Sequence, residues 1–116
     1  MLALVLFMVG FGYPGQRLAA AAVGPDDAAA IRGHEALRRM GARAETAVGP
    51  LARSLPELTE SRRRAVLETL GYLGPSAIEP LGESLHDQDG QVRAAALEAL
   101  QHIGAPAVPA LVAALN

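Results

Sequence analysis

"QVRAAALEALQHIGAPAVPALVAALN", residues 91–116, decides the fold. Its first half repeats Val92, Ala96, Leu100 and Ile103 at three- and four-residue intervals, with Leu97 widening the stripe. That is the pattern of a helix with one buried face. Gly104 ends it, because glycine accepts the left-handed backbone that helix ends favour. A second apolar stripe follows at once in Ala107, Val108, Leu111 and Leu115. Pro106 suits the first position of this second helix, where its missing N–H would be unpaired anyway. Pro109 predicts an irregular start, since a proline deeper in a helix costs about 3 kcal/mol. Asp89, just upstream, is placed to accept from the orphan N–H groups of the first helix. The stretch is a helical hairpin.

Thirty residues earlier the same hairpin recurs. Arg63, Ala65, Leu67, Glu68, Leu70, Gly74, Ala77, Leu81 and Leu85 each reappear at the residue thirty places on, from Arg93 to Leu115. Stepping back again, "TAVGPLARSL" (46–55) matches "SAIEPLGESL" (76–85) at Ala47, Pro50, Leu51, Ser54 and Leu55. A first helix for this earliest unit lies in "PDDAAAIRGHEALRRMG" (25–41), with Asp26 and Asp27 at its N-terminus. About one extra helical turn must separate it from "TAVGPL" to restore the register. Three hairpins result, about the minimum at which stacked repeats stabilise one another. Leu67, Leu70, Leu81, Leu97, Leu100 and Leu111 are the expected shared core.

Composition agrees with close-packed helices. Half of the 116 residues are apolar but only 3% are aromatic, so alanine and leucine must supply the packing. Phe7, Phe11 and Tyr13 sit at the start, which leaves Tyr72 as the one aromatic in the array. A net charge of −2 gives no global field toward nucleic acid or an anionic membrane. All ten basic residues are arginine, which reads as the codon bias of a GC-rich, bacterial genome. Without cysteine there are no disulfides, thiolate metal sites or lipids attached through sulfur.

"MLALVLFMVGFG" (1–12) is continuously apolar but too short to span a bilayer, and its length fits a signal-peptide core. Ala19 to Ala22 would hold the cleavage site, although no basic residue precedes the run. Residues 1–23 are therefore set apart as an apolar segment and linker, and 24–116 as the repeat domain. This favours export or membrane anchoring, with a cytoplasmic chain carrying a packed apolar helix as the alternative. Membrane contact is expected only if residues 1–13 act as signal or anchor.

"DQDGQVRAAALEALQHIGAPAVPALVAAL" (87–115) resembles the bacterial HEAT-like repeat, in the subgroup named for phycobilisome lyases. The resemblance rests on Asp87, Asp89, Val92, Arg93, Ala99, Leu100, Gly104, Pro109 and Leu111. The second unit departs from it, with Thr59 for the turn aspartate and Arg62 for the buried valine, and the first unit departs most. It covers about residues 26–116 and implies a short right-handed α-solenoid. It also implies that Asp89 caps its helix, that Arg93 reaches an aspartate of the neighbouring repeat in a ladder, and that the second helices line a concave face. On that face Gly49, Glu79 and Pro109 form one exposed column, and Arg53, Glu83 and Ala113 another. Arg53, Glu79 and Glu83, with Tyr72 as aromatic anchor, are thus the expected partner-binding residues.

Residues that carry chemistry elsewhere have structural readings here. Placing Asp89-Gly90 of "HDQDG" at the centre of a calcium loop puts Leu85 and Ala96 at ligand positions, so no metal is expected. His34, His86 and His102 are scattered, without zinc spacing. "SRRR" (61–64) has no aromatic neighbour for base stacking, and no nucleic-acid partner is expected. Glu79 and Glu83 stand one turn apart, but nothing in the sequence pushes their pKa values apart as acid–base catalysis requires. Nucleophile elbow, phosphate loop and cysteine nucleophile are all missing. The expected role is a non-enzymatic protein-interaction scaffold with no cofactor and a protein partner. The alternative is an accessory subunit of a chromophore-lyase-type or other enzyme complex. The last unit is the least charged, so Val112 and Ala113 are expected to face a neighbour, either a second copy through self-association at the C-terminal end or further repeats of a longer parent protein.

Overall fold

Three side-chain caps start the three long helices. Asp26 accepts from the N–H groups of Ala28 and Ala29, Thr59 from that of Arg62, and Asp89 from those of Gln91 and Val92. In the computed structural model, which describes residues 14–115, these helices are α2 (Asp27–Met40), α4 (Glu60–Tyr72) and α6 (Gly90–Ile103). Each is followed by a shorter return helix: α3 (Val48–Ser54), α5 (Ile78–Ser84) and α7 (Val108–Ala114). Gly74 and Gly104 make the corners with φ of 93° and 86°, a region that L side chains avoid. One 3-10 turn then leads into each return helix, Pro75–Ala77 before α5 and Ala105–Ala107 before α7. Pro80 and Pro109 fall within the first turn of the α-helix proper, where no N–H is needed for an intrahelical bond.

The first repeat carries its extra turn as a 3-10 segment, Gly41–Ala47, interrupted at Ala44 (φ −99°, ψ 23°). Ala44 and Ala47 are fully buried, so the insertion is part of the core.

The hairpins stack side by side into an all-α solenoid 51 Å long and 28 × 21 Å across. No strand occurs among the described residues. First helices pack on first helices, and the α4–α6 contact is the most extensive in the fold. Leu37, Leu51, Leu67, Leu70, Leu81 and Leu100 are fully buried along this seam. Removing one such side chain from water is worth about 1.5–3 kcal/mol. Two of the expected core leucines differ. Leu97 is 41% exposed and Leu111 only partly buried, because both lie on the outer side of the last hairpin, where no described element covers them.

Residues 14–23, read from sequence as the tail of an N-terminal segment and linker, form a helix, α1 (Pro14–Val23). It lies across α2 and also touches the 3-10 segment and α3. Small residues allow that crossing: Ala19 and Ala22 are buried, and a Cβ added at Gly33 would stand 2.9 Å from the Leu18 carbonyl oxygen. Arg62, the residue that departs from the repeat pattern, braces the joint by donating to the Gly24 carbonyl and the Asp27 carboxylate. The apolar run 1–12, the signal or anchor expected there and Tyr13 lie outside the described residues.

Candidate binding surfaces

The return helices carry Arg53 on α3 and Glu79 and Glu83 on α5, all exposed. They line a discontinuous surface. A depression of about 290 Å³ contains Leu55, Pro56, Pro80, Glu83 and Ser84, and another of about 260 Å³ contains Ile78, Glu79, Gly82 and Ala110.

Tyr72 is elsewhere. It ends α4, and its neighbours are on first helices, so it does not anchor the surface of the return helices. Its ring stacks on His102 of α6, with centroids 4.4 Å apart and planes tilted by 43°. The Arg38 guanidinium of α2 lies 5.6 Å from the Tyr72 ring centre and 3.4 Å from the Glu68 carboxylate. Arg38, Glu68, Tyr72, Glu98, Ala99 and His102 together border a groove of about 300 Å³ that crosses all three repeats. Sequence reasoning notes Glu68 and Glu98 as a repeated pair without assigning them a role. The aligned pair Tyr72 and His102 was the available signal, since a thirty-residue period stacks equivalent positions on adjacent helices.

The acidic turn organises the joint between the second and third repeats. Asp87 accepts from the Asp89 N–H at 2.8 Å, and Asp89 accepts from the helix N–H groups of Gln91 and Val92. Arg93 does not reach another repeat. It folds back and donates to the carbonyls of Asp87 and Gln88, at 2.7 and 3.0 Å. Its equivalent Arg63 forms the rung instead, donating to the Leu58 carbonyl of its own turn and standing 4.0 Å from the Asp87 carboxylate of the next. Each rung needs an aspartate in the following turn, and among the described residues Arg93 has no following turn. A proton shared between the Glu60 and Asp89 carboxyls, held on Glu60 and donated to Asp89, raises the Glu60 pKa and lowers that of Asp89, with the helix N–H groups adding to the lowering. Among the described residues no group of three or more His, Asp or Glu side chains is placed to hold a metal ion.

The two ends of the array differ. At the N-terminal end α1 lies over the first repeat and presents Gln16 and Arg17 outward. At the other end Val108, Val112 and Leu115 are 51%, 52% and 87% exposed, and Ala113 is exposed beside them. Comparison with the preceding repeat shows what is missing. Leu67 is fully buried beneath the third repeat, whereas its equivalent Leu97 is 41% exposed.

Residues 57–116, the whole of the second and third hairpins, match the sequence profile of the HEAT repeats. The chain belongs to the HEAT-repeat family. No curated protein and no solved structure matches it. The matched segment is the part of the chain with the regular corner at Gly74 and Gly104. The first hairpin, with its 3-10 insertion, falls outside the match. HEAT repeats commonly act as protein-interaction scaffolds, so a protein partner is the coarse functional statement the family supports.

Proposed function

We propose that this chain is a non-enzymatic protein-interaction scaffold whose C-terminal end pairs with the same end of a second copy. One observation carries the reading: the outer side of the last hairpin keeps the apolar pattern of a repeat junction but is open, at Leu97, Val108, Val112 and Leu115. Exposed apolar patches of this kind mark interaction surfaces.

Two features favour a second copy over other occupants. A further repeat packed in the same manner would meet Gln101 and Val112 where the preceding junction has Gly71 and Gly82. At Gly71 the approach is so close that a Cβ would stand 3.0 Å from the Ala99 backbone, so a repeat seated on Gln101 would have to stand further off. In a twofold contact, groups near the axis face their own twins, so a self-pairing surface must be uncharged at its centre. Leu97, Val108, Val112 and Leu115 meet that condition.

Sedimentation equilibrium of the full chain at tens of micromolar tests this directly. A dimer in the wild type and a monomer in the Val112→Glu variant are expected. A wild type that stays monomeric overturns the pairing. Co-purification with a pigment absorbance would overturn the scaffold reading in favour of an accessory enzyme subunit.

A further inference from the structure

The groove over the first helices already holds one cation, Arg38, and its layout shows what that cation needs. The guanidinium meets a carboxylate, Glu68, at 3.4 Å and an aromatic face, Tyr72, at 5.6 Å. Both partners come from the repeat that follows Arg38. Thirty residues on, the same two kinds of partner recur as Glu98 and His102, and His102 is stacked on Tyr72 at 4.4 Å. The position that supplied the cation does not recur as a cation. Aligned by the corners Gly41 and Gly74, Arg38 of the first step corresponds to Gly71 of the second, and two carboxylates, Glu68 and Glu98, border the groove. Among the described residues no cation is paired with Glu98.

We infer that the open part of this groove, between Glu68, Glu98 and the Tyr72–His102 stack, receives an arginine side chain from a protein partner. Guanidinium is the group that fits. It is planar, stacks on aromatic faces and bridges two carboxylates through its fork of N–H donors, whereas an ammonium offers only a compact, strongly hydrated charge. Tyr72 and His102 are tilted by 43° to each other, and the small side chain of Ala99 lines the groove beside them. Tyr72 is 45% exposed at the border of this groove. Arg38 works against the incoming charge and also shares Glu68 with it. The site is therefore tuned to a single arginine at modest affinity and does not suit a run of basic residues. This inference rests on the reading of the chain as an interaction scaffold, but uses a surface other than the C-terminal end.

The test is an NMR titration of the full chain with a short neutral peptide bearing one arginine, beside the same peptide bearing lysine. The arginine peptide is expected to move the His102 ring and Tyr72 ring signals, with the lysine peptide several-fold weaker. Glu98→Gln should weaken binding roughly tenfold, the scale of losing one charge-assisted hydrogen bond. Arg38→Gln should strengthen it, a gain that a general loss of structure cannot produce. The Val112→Glu monomer should respond like the wild type, which separates this site from end pairing. An equal response to lysine, or weaker binding in Arg38→Gln, overturns the assignment, as does an arginine peptide that leaves both rings unmoved.

Discussion

His34 Nδ1 lies 2.7 Å from Thr69 Oγ1, and both side chains are buried where α2 of the first repeat meets α4 of the second. The contact is buried between two helices that the Arg38–Glu68 and Arg62–Asp27 pairs join at the surface, so the imidazole has a polar partner but little access to water. Burial lowers the His34 pKa below its ordinary value, and the positive charges of Arg38 and Arg62 lower it further. A backbone hydrogen bond with Ala22 opposes the shift without cancelling it.

The sign of the resulting pH dependence follows from linkage. With the folded pKa depressed, the unfolded chain binds a proton at His34 below about pH 6.5 while the folded chain resists it. Stability is therefore full above that pH and declines as the pH falls from there toward the folded value. Urea melts between neutral and mildly acidic pH should show a falling midpoint for the wild type. The fall should be much smaller for His34→Gln, and equal slopes for the two proteins would count against the buried neutral histidine.

Leu97 and Leu100 stand one turn apart on α6 but in different environments. Leu100→Ala leaves a cavity in the seam and should cost about 2–5 kcal/mol. Leu97→Ala, at 41% exposure, should cost far less when the protein is dilute enough to be monomeric. Denaturant melts of the two variants at low concentration compare them, with equal losses as the contrary result.

Two glycines make a matched test of backbone proximity. At Gly33 an added Cβ would stand 2.9 Å from the Leu18 carbonyl oxygen and 3.0 Å from the Ala22 nitrogen, so α1 has to move. Gly33→Ala should destabilise by about 1–3 kcal/mol, the range for overpacking. At Gly82 the nearest atom is the Ala110 Cβ at an ordinary 3.9 Å, and the residue lies inside α5. Gly82→Ala should stabilise by about 0.4–1 kcal/mol through loss of freedom in the unfolded chain. Thermal melts moving in opposite directions are the expected outcome.

Arg62→Gln removes the brace on the α1–α2 turn. A loss of about 1–2 kcal/mol is expected for its charge-assisted hydrogen bonds. Amide exchange should quicken in residues 14–24 while α6 stays protected. Uniform acceleration along the chain would show that Arg62 acts on the whole array instead of on α1.

How much the sequence revealed depends on whether the signal was local or between repeats. The hairpins, their caps at Asp26 and Asp89 and the corners at Gly74 and Gly104 are local features, and each is legible from residue type and spacing. The outer position of Leu97 is not, because its helix stripe is the same as that of Leu67; only the absence of a covering element among the described residues separates them. The rung made by Arg63 and not Arg93 has the same origin. The identity of the arginine is local, but its partner belongs to the following turn. Tyr72 was the one aromatic available as an anchor, and composition drew it toward the wrong helices. Its alignment with His102 was the better guide. Helix α1 was hidden by its sequence, because "RLAAAAV" reads equally as the small-residue end of a leader and as one side of an alanine-lined crossing.

That second role of the alanines sets a timing rule for processing. Ala19 and Ala22 are 1% and 2% exposed within α1, so a peptidase cutting in this stretch could act only on a chain that has not yet folded. The product would begin without most of α1, leaving Gly33 of α2 uncovered. Any cut in this stretch would therefore have to precede closure of the first repeat.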